Sequence, residues 1–202
     1  MKLSHILIKV DNLEKAVLEW QNKGFVVEYG TSRNPYNALI YFKEGPFIEL
    51  FAFKGFPSFL KPILNVFGMR HLVEKMDFWA NHEEGLLSIM LENYEKDLSK
   101  EAEILKKYNF GGMISKKSRM DVKKRKLKFT VMFTDPVHFP DLMTFFSINP
   151  KPAENIHPNG VTGIKSISVG LSDEHKQAFA ELCDDPRVEI FDGTGIKDLE
   201  LL

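Results

Sequence analysis

The 202 residues contain one cysteine, Cys183, and two tryptophans, and the formal charge is only −1. A single thiol excludes an internal disulfide, and a reducing, cytoplasmic setting is the expectation. No apolar run approaches the ~18–20 residues of a membrane span. The first residues alternate as a strand does, without a secretory apolar segment. Near-neutrality gives no global drive toward nucleic acid or an anionic membrane. The sequence also lacks a glycine-rich phosphate loop with its lysine, a dinucleotide fingerprint, a paired-cysteine metal motif and a serine nucleophile elbow. Several enzyme classes fall away with these absences; a metal-assisted lyase or dioxygenase does not.

What is present is order. His5 to Val10 has strand character, Asp11 can cap a helix with Glu14 three residues on, and Leu13, Ala16, Val17 and Trp20 recur at helical spacing before Gly24. Phe25–Tyr29, Ala38–Phe42 and Phe47–Phe53 each suit a strand, the last two joined through a turn at Gly45-Pro46. Period two in Phe47-Ile48-Glu49-Leu50-Phe51 places Phe47, Glu49 and Phe51 on one face. A carboxylate between phenylalanines needs a cation, a donor or a metal, because an unpaired buried polar group costs roughly 2–7 kcal/mol.

A second unit of the same order runs from Leu86–Leu91 through a helix capped by Asn93 and faced by Leu98, Ala102 and Leu105. Strands at Met113–Asp121, Leu127–Thr134 and Leu142–Ile148 complete it. Between the units, Lys54–Phe67 reads as an apolar connection or lid, and Leu72, Val73, Met76 and Trp79 mark a helix ending near Asn81. After Asn149–Pro152, a strand over Gly163–Leu171, a helix capped by Ser172 or Asp173, and strands at Arg187–Phe191 and Ile196–Leu202 form a partial third unit. The divisions expected are 1–84, 85–150 and 151–202, in one integrated domain. The fold class is α+β: tandem β-α-β-β-β units in a curled mixed sheet around a concave pocket. The third unit can cover an edge, pack on the second unit or complete a homodimer.

His5 with Val10-Asp11-Asn12-Leu13, Asn37 before an apolar strand, Phe47-Ile48-Glu49-Leu50 and the late segment His157–Ile164 together resemble the glyoxalase-like domain of the vicinal oxygen chelate superfamily. That group spans dioxygenases, isomerases, lyases, thiol transferases and ligand-binding proteins related to bleomycin resistance. The resemblance implies a divalent metal (Mn, Fe, Zn, Ni or Mg) held from the first and last strands of both units. The first unit supplies His5 and Glu49, with Glu49 also the catalytic candidate, and His5, Asn37, Glu49 and His157 as ligand-binding candidates. The second departs: Leu87, Ser88 and Ile89 on its opening strand and Thr144, Phe145 and Phe146 on its last are not strong ligands. His138, Glu154 and His157 are the available loop donors.

Three functions are consistent with this reading: binding of a small organic ligand, metal-dependent chemistry on a small molecule with vicinal oxygens, and a structural or dimerisation module. The basic interval Lys116–Lys128 reads as the solvated end of a strand pair, without interleaved aromatics, so no nucleic-acid partner is expected. Cys183 follows an apolar helix face and reads as structural, since no general base is near it in sequence.

Overall fold

The computed structural model describes residues 1–43, 45–144 and 156–202. The first unit comprises β1 (Lys2–Lys9), α1 (Leu13–Asn22), β2 (Glu28–Tyr29), β3 (Asn37–Ile40) and β4 (Phe47–Phe51). Two helices follow, α2 (Leu60–Val66) and α3 (Arg70–Asn81), and then the second unit: β5 (Gly85–Asn93), α4 (Ser99–Lys107), β6 (Gly111–Met120), β7 (Lys126–Asp135) and β8 (Asp141–Thr144). The chain closes with β9 (Ile164–Leu171), α5 (Asp173–Leu182), β10 (Val188–Asp192) and β11 (Gly195–Leu201). The expected continuation of β8 to Ile148, the 149–152 connection and Glu154 lie outside the described residues.

The repeat is visible in the pairing. The eight-stranded sheet runs β2-β3-β4-β1-β5-β8-β7-β6. Each unit has its first strand parallel to its last and the others antiparallel, and the units meet where β1 and β5 pair antiparallel. The sheet curls until its two edges nearly meet: Arg119 at the end of β6 donates to the Gly30 carbonyl just past β2, and Lys123 in the β6–β7 turn lies 3.3 Å from Glu28.

The convex face packs on α1, α4, α5 and the three-stranded sheet β10-β9-β11 through Ile6, Ile48, Leu91, Leu142, Ile167 and Phe179. The third unit therefore covers this sheet's face, and it also grips β1: the Leu3 amide donates to Asp185 and the Asp184 amide to the Met1 carbonyl. The concave face carries Leu7, Phe47, Phe51, Met90, Val131 and Met143, and α3 lies on it through Met76 and Trp79.

Local details differ from expectation where a neighbouring polar group competes. Asn12, not Asp11, caps α1, accepting from the Lys15 amide at 3.0 Å, because the Asp11 carboxylate is drawn to Lys9. Asn93 does not cap α4; the helix begins after Leu98, and the Asn93 amide donates instead to the Asp97 carbonyl. The interval 54–67 holds a true helix, α2, which buries none of its residues. The segment Phe25–Tyr29 contributes only two residues to the sheet.

Candidate functional site

β1 is not regular. Its register against β5 shifts between Leu3 and His5, so Leu3 and Ile6 both join the convex core. The extra residue turns Ser4 and His5 toward the same side, as a bulge does. From β4, two positions beyond Phe47, Glu49 reaches the same face: His5 Nε2 and Glu49 Oε2 are 3.3 Å apart, with the imidazole stacked on Phe47 at 4.6 Å. Asn37, diagonal to Glu49 on β3, donates to Oε1 at 2.7 Å.

The polar line continues into the second unit. His5 Nδ1 is 3.1 Å from Ser4 Oγ, and Ser4 donates to Glu92 Oε2 at 2.8 Å; Tyr94 donates to Oε1 at 3.3 Å. With the Ser4 proton committed to Glu92, Ser4 accepts from Nδ1–H, and Nε2 of a neutral ring presents a lone pair to Glu49. One proton between Nε2 and Oε2 satisfies the contact, carried either by the carboxyl or by the imidazolium.

Burial raises the Glu49 pKa, with the Asn37 amide and the Arg119 guanidinium pulling it down. The native state then holds a proton that the unfolded chain has lost, in the window from the usual carboxylate value of 4.5 up to the folded value. Stability falls as pH rises through that window, and the cost is complete above it. Glu49→Gln is expected to be more stable than wild type at pH 7, with the difference shrinking as the pH falls through the raised folded value toward 4.5 and constant below that. Thermal unfolding across that range measures it; a pH-independent difference would contradict this account of Glu49.

Of the other expected residues, His157 is brought to a different place. It sits between Phe25 and Phe42, ring centroids 5.2 Å from each, and accepts from the Val26 amide at 2.9 Å. Burial lowers its pKa, and Phe42 belongs to the convex core, so it anchors the late segment rather than joining His5 and Glu49. His138 stacks edge-on against Phe78, away from the pair. Three residues that the sequence reading missed belong to the site: Ser4, Glu92 and Arg119. Only Glu92 left a usable signal, a carboxylate two residues after Met90 on the strand.

The two-fold relation of the units explains the missing ligands. His5 pairs with Met90, and the counterpart of Glu49 is Met143, opposite Glu92. Two thioethers stand where the first unit has imidazole and carboxylate. Among the described residues no group of three or more His, Cys, Asp and Glu side chains could hold a metal ion. Hard divalent ions want about six oxygen or nitrogen donors, so His5 and Glu49 do not make a metal centre by themselves.

Comparison with known proteins agrees with the fold. The sequence matches the family described as glyoxalase-like domain over residues 3–183. The structure resembles that of a hypothetical protein from Staphylococcus aureus at a TM-score of 0.62, with 16% identity, 98% of this chain and 91% of that chain covered. It also matches catechol 2,3-dioxygenase (TM-score 0.46, 14% identity, 90% of this chain and 55% of that). A further match is glyoxalase I from Zea mays (TM-score 0.42, 16% identity, 90% of this chain and 56% of that). The chain thus spans about half the length of the latter two. A search of curated proteins found no match. Among the described residues no helix is long and apolar enough to cross a membrane. With its paired units, its concave His5–Glu49 site and a family match over nearly all of its length, the chain belongs to the glyoxalase-like domain family.

Proposed function

We propose that the protein binds a small organic ligand on its concave face, with Asn37, His5 and Glu49 addressing the ligand's polar end. The observation that carries this reading is the buried contact between His5 Nε2 and Glu49 Oε2 at 3.3 Å, among aromatic side chains. A pair sharing a proton in a desolvated setting can donate to or accept from a ligand oxygen, and Glu49, its pKa raised by burial, is the group suited to hold or move that proton. Apolar neighbours Phe47, Phe51 and Tyr41 suit the ligand's body.

Access is through the α2–α3 segment. Met76 and Trp79 rest on the concave face, whereas α2 buries nothing, and Phe59, Val66 and Phe67 are 72%, 85% and 73% exposed. Gly55 and Gly68, both at positive φ, flank α2 and suit hinge positions.

The second reading, a divalent ion used in lyase, isomerase or dioxygenase chemistry, is favoured by the imidazole orientation, since a ligating histidine is held through its other nitrogen, as Ser4 holds Nδ1. The donor count disfavours it. Metal analysis and native mass spectrometry of protein purified without chelator separate the two. A retained organic molecule, lost in both His5→Ala and Glu49→Ala without stoichiometric metal, is the expected result. One metal ion per chain, with affinity lowered at least about tenfold by either substitution, would establish the metal reading instead. Neither ligand nor metal would leave the concave face a packing surface.

A further inference from the structure

Apart from Arg119, which serves the concave site, the start and end of the basic interval fold into one wall of a separate cleft. Its volume is ≈610 Å³, and its walls include Tyr94 and Lys96 from the turn after β5, Lys116 and Ser118 from β6, and Lys128 and Thr130 from β7. The register explains the grouping: Lys116 pairs with Thr130 and Ser118 with Lys128, so all four share the face opposite Leu127 and Val131. Lys117 also borders the cleft but sends its ammonium to the other face, 5.7 Å from the Phe133 ring centroid. Glu95 is the only carboxylate among the lining residues.

A basic sheet end exposed only for solubility would show scattered cations, each solvated or paired. Here three lysines converge on one concavity, and among the described residues none of Lys96, Lys116 and Lys128 has a carboxylate within ion-pair distance. Lys116 does reach Asp97 through its field, lowering that residue's pKa after the hydrogen bonds from Ser99. The hydroxyls of Ser118 and Thr130 add donors, and the Tyr94 ring, 68% exposed, offers a flat apolar surface. Lysine stems extend that surface while their heads stay free.

We propose that this cleft binds a small organic anion, a phosphate or carboxylate carried on a flat apolar body, with Lys96, Lys116 and Lys128 as the charge partners and Tyr94 beneath the body. Binding there does not rest on the concave-site reading, because none of the lining residues is His5, Glu49 or Asn37. The neighbourhood favours a compact ligand over a polymer: the cleft closes against Thr144 on β8 and carries Glu95 on its rim. A nucleic-acid backbone would instead need a track of cations.

The test is calorimetric titration of the intact chain with phenyl phosphate, benzoate, inorganic phosphate and a single-stranded oligonucleotide. Saturable binding of phenyl phosphate or benzoate is expected, at least about fivefold tighter than inorganic phosphate because of the ring contact. The ratio of the two organic probes identifies the preferred head group. Lys116→Gln/Lys128→Gln should weaken the organic anion about tenfold or more, with unfolding temperature unchanged. His5→Ala should leave it unaltered, so failure here and failure at the concave face are read separately. No saturable binding of any small anion, or equal binding in the double variant, would overturn the proposal. Oligonucleotide binding tighter than phenyl phosphate, with a salt slope reporting several phosphates, would replace it with a nucleic-acid surface.

Discussion

Lys75→Met is expected to cost about 3–5 kcal/mol of stability, read as a lowered urea midpoint at pH 7. Lys75 is wholly buried on α3, with its ammonium 2.8 Å from Asp141 Oδ1 and donating to the Phe139 carbonyl at 2.8 Å and Thr134 Oγ1 at 3.1 Å. Methionine fills similar space but leaves Asp141, 1% exposed, without its cation. The remaining donors to Oδ1, the Thr134 amide and hydroxyl, cannot neutralise it, and Oδ2 has no hydrogen-bond partner among the described residues. Lys75→Met/Asp141→Leu should recover part of the loss. An apolar pair avoids the unpaired charge, though the Thr134 amide then costs about 1–3 kcal/mol for its lost acceptor. A single-variant loss below about 1 kcal/mol would show the pair to be solvated rather than buried. The consequence reaches function, since this bond fixes α3, and with it Met76 and Trp79, over the concave face.

How legible this was depends on the kind of information each feature needs. The unit order was written in local pattern: helical spacing, Gly24 at φ +82° and strand alternation each depend on neighbouring residues. His5 and Glu49 were legible because alternation puts Glu49 beside phenylalanines and the family resemblance supplied the imidazole. Ser4 was not, since the bulge that turns it inward arises from pairing with β5, a strand more than eighty residues away. Arg119 was hidden for a similar reason. In sequence it is one cation of a basic run, and only the curling of the sheet carries it across to Gly30 and within reach of Glu49. His157 misled because its motif is structural: the ring bonds the Val26 amide and packs between two phenylalanines, which fixes the late segment without touching the site. Buried Lys75 would be read as solvated in any helix whose partner is unknown.

Gly30→Ala should damage the concave site more than its size suggests. A Cβ at Gly30 would lie 2.0 Å from Asn37 Oδ1, 2.8 Å from Asn37 Cγ and 3.1 Å from Arg119 Nη1. The first of these distances is far inside van der Waals contact, so the Asn37 amide must move, and its 2.7 Å bond to Glu49 must lengthen or break. Arg119, which donates to the Gly30 carbonyl, is crowded at the same time. Both groups stabilise ionised Glu49 against burial, so their displacement raises the Glu49 pKa further. The expected results are a Glu49 titration shifted upward, followed by carboxyl NMR or infrared difference spectra, and at least about tenfold weaker binding of whatever the concave face retains. Asn37→Ala separates the two routes. It removes the amide but relieves the clash, so Gly30→Ala in that background should add little to the shift unless Arg119 carries it. If Gly30→Ala leaves the Glu49 titration unmoved while Asn37→Ala shifts it, the strand near Gly30 yields and the contact between the two sheet edges is loose. If neither substitution moves it, burial alone sets the carboxylate's titration.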